Sequence, residues 1–133
     1  MDRLFLDANI LFSAAYKIDA RLLSFWKIRN VTLCSSRYAL QEARSNLASE
    51  DQRNRLTELS RALHLFEAAQ APLPPGVSLP EKDLPILLAA LEARATHLLT
   101  GDVRHFRAHF GKKIEGIAII RPGEYLRGRV GKV

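Results

Sequence analysis

The 133-residue chain predicts an α/β fold in which a central parallel sheet is covered by helices on both faces, and three observations carry that expectation. Short apolar, partly β-branched stretches alternate along the chain with longer stretches of helical spacing. Polar residues able to cap helices follow most of the short stretches, so strand, cap and helix succeed one another. Hydrophobic residues make up 47% and charged residues 26%, with only 7 Gly and 6 Pro, which is the balance of a globular protein with a packed core. That composition excludes disorder and collagen, and the length suits a single domain spanning residues 1–133.

Arg3 to Leu6 reads as a short buried strand, followed at Asp7 by polar residues and a helix from about Ile10 to Tyr16. Asp19 is expected to cap a second helix, Ala20 to Ile28, with Leu22, Leu23 and Trp26 on its inner stripe. Val31 to Cys34 makes a second strand, and Ser35 or Ser36 caps the helix that places Ala39, Leu40, Ala43 and Leu47 at helical spacing. A polar, Arg-rich helix from about Asp51 to Phe66 carries Leu56, Leu59, Leu63 and Phe66, and a weak extended segment follows near Ala68 to Ala71. Four of the six prolines then mark a connection from Ala71 to Pro80. Asp83 starts an apolar helix, Leu84 to Ala95; Thr96 to Leu99 is a strand; Arg104 to Phe110 is a short helix; Ile114 to Ile120 is the last strand, ended by Pro122 and Gly123.

Charge narrows the partners. Twenty Lys and Arg against 14 Asp and Glu leave +6, an excess that favours nucleic acid. The apolar stretch Leu4 to Ala15 resembles the core of a signal peptide, but Asp7 and Asn9 interrupt it. Leu84 to Leu91 is far short of the roughly 20 residues that span a bilayer. With a lone Cys34, expected as a packed core thiol, the reading is a cytoplasmic protein without membrane attachment.

Ligands of an open α/β sheet gather at the carboxyl ends of its strands, and four carboxylates fall there or at helix starts: Asp7, Glu42, Asp83 and Asp102. Each has an ordinary explanation by itself. Asp7, Asp83 and Asp102 can cap helices, and Glu42 can be a solvated helix residue. Together on one rim they would repel and raise one another's pKa unless a divalent cation inverted the local field. An oxygen-only site suits Mg²⁺ or Mn²⁺, and in a basic protein its natural chemistry is metal-assisted phosphodiester hydrolysis.

Leu6-Asp7-Ala8-Asn9-Ile10-Leu11, Glu42, Lys82-Asp83-Leu84-Pro85-Ile86-Leu87, and Leu99-Thr100-Gly101-Asp102 with Phe106 resemble the motifs of the PIN-domain ribonucleases, in the same order and at similar distances. The resemblance covers nearly the whole chain and includes Ile120-Arg121-Pro122-Gly123-Glu124-Tyr125-Leu126, similar to the family's usual tail. It implies a three-layer α/β/α fold, a Mg²⁺ or Mn²⁺ site and cleavage of single-stranded RNA, and the small bacterial members it is similar to are toxins of toxin–antitoxin pairs. Carried over by position, Asp7, Glu42, Asp83 and Asp102 are the acidic quartet, with Asp7 and Asp102 on the metal and Glu42 and Asp83 completing the site. Asn9 and Thr100 support an acidic side chain. Where some members carry a further acidic residue, this chain has His105, and Glu81 reads as a surface residue.

Arg104, Arg107, Lys112 and Lys113, which flank the last acidic motif, are the foremost candidates for the RNA backbone; Arg37, Arg44, Arg53, Arg55 and Arg61 and the tail residues Arg127, Arg129 and Lys132 come after them. Partners implied are RNA, an antitoxin protein, and a second copy of the chain through the Arg-rich helices between Arg37 and Phe66. Competing functions lack their residues. No phosphate-binding glycine loop occurs, and Asn9 stands where a haloacid-dehalogenase-type phosphatase needs its second Asp. His105 and His109 have zinc-like spacing without a third ligand and read as exposed helix positions or RNA contacts. The rival from a different class is a catalytically silent PIN-like domain that binds RNA or a protein.

Overall fold

Leu4, Phe5 and Leu6 have no solvent-exposed surface. Successive strand residues point to opposite faces, so three buried in a row require a sheet covered on both sides. The computed structural model describes residues 1–68, 72 and 74–130, with the backbone alone at 103, 107, 129 and 130. Its strands are β1 (Asp2–Leu6), β2 (Val31–Ser35), β3 (His64–Leu65), β4 (His97–Leu99), β5 (Lys113–Ile114) and β6 (Ile117–Ile120). They form one sheet in the order β3-β2-β1-β4-β6-β5, parallel throughout except for the antiparallel pair β5–β6 at one edge. The α/β expectation holds, and the sheet is mostly rather than wholly parallel.

The strand order carries the functional geometry. From β1 the chain steps outward to β2 and β3, then returns to the other side of β1 with β4. Leu6 pairs with Leu99 across this junction. Connections that leave neighbouring strand ends in opposite directions open a crevice between them, here beyond Leu6 and Leu99.

The helices are α1 (Ala8–Tyr16), α2 (Arg37–Asn46), α3 (Glu50–Ser60), α4 (Leu84–Glu92), α5 (Val103–Phe106) and α6 (Pro122–Val130), with 3₁₀ segments at Arg21–Lys27, Glu81–Asp83 and Arg107–His109. Their starts follow local chemistry. Ser36 caps α2 by accepting from the Ala39 N–H, and Ser49 and Gln52 form a reciprocal capping box on α3. Helix α4 buries Ile86, Leu87, Ala89 and Ala90. It ends in paired closing bonds, Ala95 N–H to Ala90 C=O and Arg94 N–H to Leu91 C=O, with Arg94 at φ +53°.

Several boundaries differ from the sequence reading. Residues Arg21–Lys27 are a 3₁₀ segment, not an α-helix from Ala20, and no side chain caps it; with Phe25 its one fully buried residue, it has no continuous apolar stripe to hold an α-helix. Helix α3 stops at Ser60, because His64 and Leu65 pair with Cys34 and Ser35 as an edge strand. Ala68 is not in a strand, and residues 69–71 of the expected extended segment lie outside the described residues. The final strand is a hairpin: Glu115 and Gly116, at φ +49° and +85°, form its two-residue turn, and two positive φ values suit the twist of a tight hairpin. The strand ends before Pro122 as expected, and Pro122 opens α6, at the position where its missing N–H costs nothing. Tyr125 anchors this helix by donating to Asp2 Oδ2 at 2.6 Å and packing edge-on to His97.

Leu56 and Leu63 are buried and Leu59 packs against the same core, so these leucines pack within the chain. Among the described residues no helix is long and apolar enough to cross a membrane.

The left-handed Arg94 yields a stability prediction. A side chain with a Cβ is disfavoured at that conformation by about 1 kcal/mol, whereas glycine adopts it freely. Arg94→Gly should therefore raise the unfolding free energy by about 0.5–1 kcal/mol in urea titrations with an unchanged slope. A lower midpoint would mean that the exposed guanidinium has a stabilising role of its own.

A candidate metal centre beyond β1 and β4

Asp7 is the first residue after β1, and its backbone N–H continues the ladder to Leu99 C=O at 3.1 Å. Its Oδ1 accepts from the Ala8 N–H at 2.6 Å as the cap of α1, while Oδ2 accepts from Thr100 Oγ1 at 2.8 Å and Asn9 Nδ2 at 3.2 Å. Asn9 Oδ1 in turn accepts from the Gly101 N–H at 2.8 Å, and Thr100 Oγ1 accepts from the Asp102 N–H at 3.1 Å. Asn9 and Thr100 thus join the ends of β1 and β4 and hold Asp7 and Asp102 in one frame. Asp7 is 4% exposed, and its pKa is pushed up to about 6. Burial is the main cause; the Thr100 and Ala8 bonds oppose it, and Asp83 and Glu42 push further upward.

Asp83 and Asp102 converge on the same place from different elements. Asp83 ends a 3₁₀ turn ahead of α4, and its carboxylate makes no capping bond to that helix. It is directed instead at His105, whose Nδ1 lies 2.7 Å from Asp83 Oδ2 and 2.7 Å from Asp102 Oδ2. Asp102 Oδ1 accepts from the His105 N–H at 3.1 Å, so His105 occupies the third position of the turn that Asp102 caps. A side chain at that position reaches back toward the cap. Burial raises the Asp83 pKa, with His105 opposing and Asp102 adding to the rise.

The donor set fits a divalent cation. One ligand atom from each of Asp83, Asp102 and His105 lies within 4.8 Å of the others. Asp83 Oδ2 and His105 Nδ1 are both inaccessible, and neither has an aligned hydrogen bond despite their close approach. At 2.7 Å the two are in ion-pair contact but not aligned, and a cation held by both would add to the compensation of their lost hydration. Asp7 and the half-buried Glu42 on α2 are not in that group of three, but they line one cleft of about 410 Å³ with Asp83, Asp102, Asn9 and Lys82.

Both histidines depart from the sequence reading. His105 is not an exposed helix position, with one fifth of its side chain accessible inside the carboxylate cluster. His109 is 8% exposed, and its Nε2 lies 3.2 Å from Ser78 C=O. They share no helical face because α5 ends at Phe106 and continues as a 3₁₀ turn. The Asp-x-x-His spacing of a capping box was the available signal for His105. Glu81 is exposed and is not among the residues lining the cleft.

The basic residues divide by whether their charge is already engaged. Arg53 and Arg55 donate to backbone carbonyls of Leu47, Ala15 and Tyr16, Arg44 to Thr57, and Arg37 and Arg61 pair with Glu67 and Glu58. Arg104, Lys112 and Lys113 are exposed, and the Arg107 side chain lies outside the described residues. Lys82, which the sequence reading did not single out as an RNA contact, is exposed and lines the acidic cleft and the adjoining groove beside Tyr38.

Comparison with known proteins agrees with this geometry. The chain is similar to a chain in the crystal structure of VapBC2 from Rickettsia felis bound to a DNA fragment from their promoter, with a TM-score of 0.62, 17% identity, and coverage of 88% of this chain and 96% of that one. At that identity the likeness speaks for the fold. No curated protein matches the sequence. A family model described as PIN domain matches residues 3–104, from β1 into α5 and across Asp7, Glu42, Asp83 and Asp102. The chain belongs to the PIN-domain family.

Proposed function

We propose that this protein is a divalent-metal-dependent endoribonuclease that hydrolyses phosphodiester bonds of single-stranded RNA, acting in the cytoplasm as the toxin of a toxin–antitoxin pair. The observation that carries the reading is the single cleft lined by Asp7, Glu42, Asp83 and Asp102 in a chain of net charge +6. In family terms these are the catalytic, metal-binding quartet, and Asn9 and Thr100 support it by holding Asp7.

A bound Mg²⁺ or Mn²⁺ supplies polarisation of the scissile phosphate and a more acidic water. The chain's own residues do the rest. Asp7 and Asp102, at two strand ends that the Asn9–Thr100 network keeps together, would hold the cation. Glu42 and Asp83 complete the donor set directly or through water, and no side chain is needed as a covalent nucleophile. Lys82 at the cleft, with Arg104, Lys112 and Lys113, attracts the RNA backbone through charge. The likeness to a VapBC2 chain supports an antitoxin partner.

Cleavage of a labelled single-stranded RNA in Mn²⁺ tests the reading. Activity should vanish in EDTA, return on adding the metal, and fall at least about 100-fold in Asp102→Asn, which keeps an oxygen to cap α5. RNA binding without cleavage in a fully metallated preparation would favour the silent module instead.

A second outcome follows from Asp7. Its carboxyl ionises near 3.9 in an unfolded chain and about 6 in the fold. The native state therefore holds the proton more tightly, and stability falls as pH rises through that window. Metal-free protein should gain about 1 kcal/mol when pH drops from 7.5 to 5.5, Asp7→Asn should flatten the dependence, and excess Mg²⁺ should oppose the gain, because the cation needs the ionised ligands. Thermal melts in EDTA and in Mg²⁺ measure all three; a wild-type melting temperature that drops on acidification in EDTA would contradict the argument.

A further inference from the structure

The carboxylate cluster contains one donor that is not oxygen. His105 is held against Asp83 and Asp102 by the turn that Asp102 caps, with Nδ1 at 2.7 Å from an oxygen of each carboxylate. Neither contact is aligned as a hydrogen bond, although the imidazole lies within ion-pair distance of both carboxylates. A six-coordinate dication with ligands near 2.1 Å sets adjacent donors about 3 Å apart. His105 Nδ1 needs to move only a few tenths of an ångström from each carboxylate oxygen to share one with them, and the three donor atoms all lie within 4.8 Å of one another.

We infer that His105 Nδ1 is an inner ligand of the cation, so that the site prefers first-row transition dications such as Mn²⁺ and Co²⁺ over Mg²⁺. The inference rests on the metal-dependent reading above and narrows it. Mg²⁺ is hard and keeps oxygen ligands and water, whereas imidazole nitrogen binds increasingly well along the series from Mn²⁺ to Co²⁺ and Ni²⁺. A donor set of two carboxylates and one imidazole therefore discriminates against Mg²⁺ more than an all-carboxylate site does.

The experiment uses the full chain stripped with EDTA. Calorimetric titration should give Mn²⁺ a dissociation constant at least tenfold below that of Mg²⁺, and Co²⁺ one lower still. His105→Asp, which restores an all-oxygen site, should shrink the Co²⁺-to-Mg²⁺ ratio at least tenfold. Pulsed EPR of the Mn²⁺-loaded wild type should show the ¹⁴N coupling of a directly bound imidazole, absent from both His105→Asp and His105→Gln. Absence of nitrogen coupling in the wild type, its persistence in the folded variants, or an unchanged metal ratio overturns the assignment. The wild-type spectrum decides even if a variant fails to fold. Nitrogen coupling without RNA cleavage would reject the nuclease reading while retaining this ligand, and metal-dependent cleavage without nitrogen coupling would do the reverse.

Discussion

Parallel pairing of β1 with β4 is the constraint on which the rest of this structure depends. It puts Leu6 opposite Leu99, so the residues that follow, Asp7 on one strand and Thr100 to Asp102 on the other, meet at a single edge although they are far apart in sequence. Register matters because side chains alternate: a slip of one residue would turn Leu4 and Leu6 to the opposite face and break the Asp7–Thr100 bond. The Asn9 side chain reinforces that register, bonding Asp7 and Thr100 through Nδ2 and the Gly101 N–H through Oδ1. Packing of the sheet and geometry of the cleft are therefore one problem, solved by the same few residues.

The arrangement holds carboxylates where water cannot fully hydrate them. A buried carboxylate is unfavourable unless hydrogen bonds or opposite charge compensate. Asp7 receives hydrogen bonds and its pKa is still pushed up to about 6; Asp83 lacks even a capping bond, and the nearby imidazole and the Lys82 charge oppose the effect of its burial. Mutual repulsion of four anions was the expectation from sequence, and His105 modifies it by standing between two of them. The strain is borne by a core that is apolar on both faces of the sheet, with α4 nearly all hydrophobic and β1 wholly buried in its second half. Stability is concentrated under the cleft, and the polar compromise is confined to its floor.

Engagement of arginines inside the fold changes how the positive charge is read. The middle helices look in sequence like a basic surface, yet the guanidinium groups of Arg53 and Arg55 satisfy carbonyls at the ends of neighbouring helices. Such groups stabilise helix ends and are poorly placed to meet a phosphate as well. Lys82, one residue before Asp83, is the cation that lines the acidic cleft itself. Net charge indicates an anionic partner without saying which cations face it.

What the sequence by itself determined was the alternation of buried strands and helices and the family's acidic positions, since continuous apolar runs such as Leu4 to Leu6 and caps such as Ser36 act through neighbouring residues. It could not show β3, because two exposed residues, His64 and Leu65, become a strand only by pairing with Cys34 and Ser35. It missed the hairpin at Glu115 because a glutamate at positive φ contradicts local preference and is held there by β5–β6 pairing. Tertiary structure alone decided that His105 stands against Asp83 and Asp102. A helical pattern projects the spacing of His105 and His109 onto one face, but the chain leaves the α-helix between them, and the orientation of each imidazole depends on what Asp83, Asp102 and Ser78 offer it from distant segments. Local propensity sets which element forms, whereas the chemistry of a site lies in contacts between elements, which exist only once the sheet has brought their ends together.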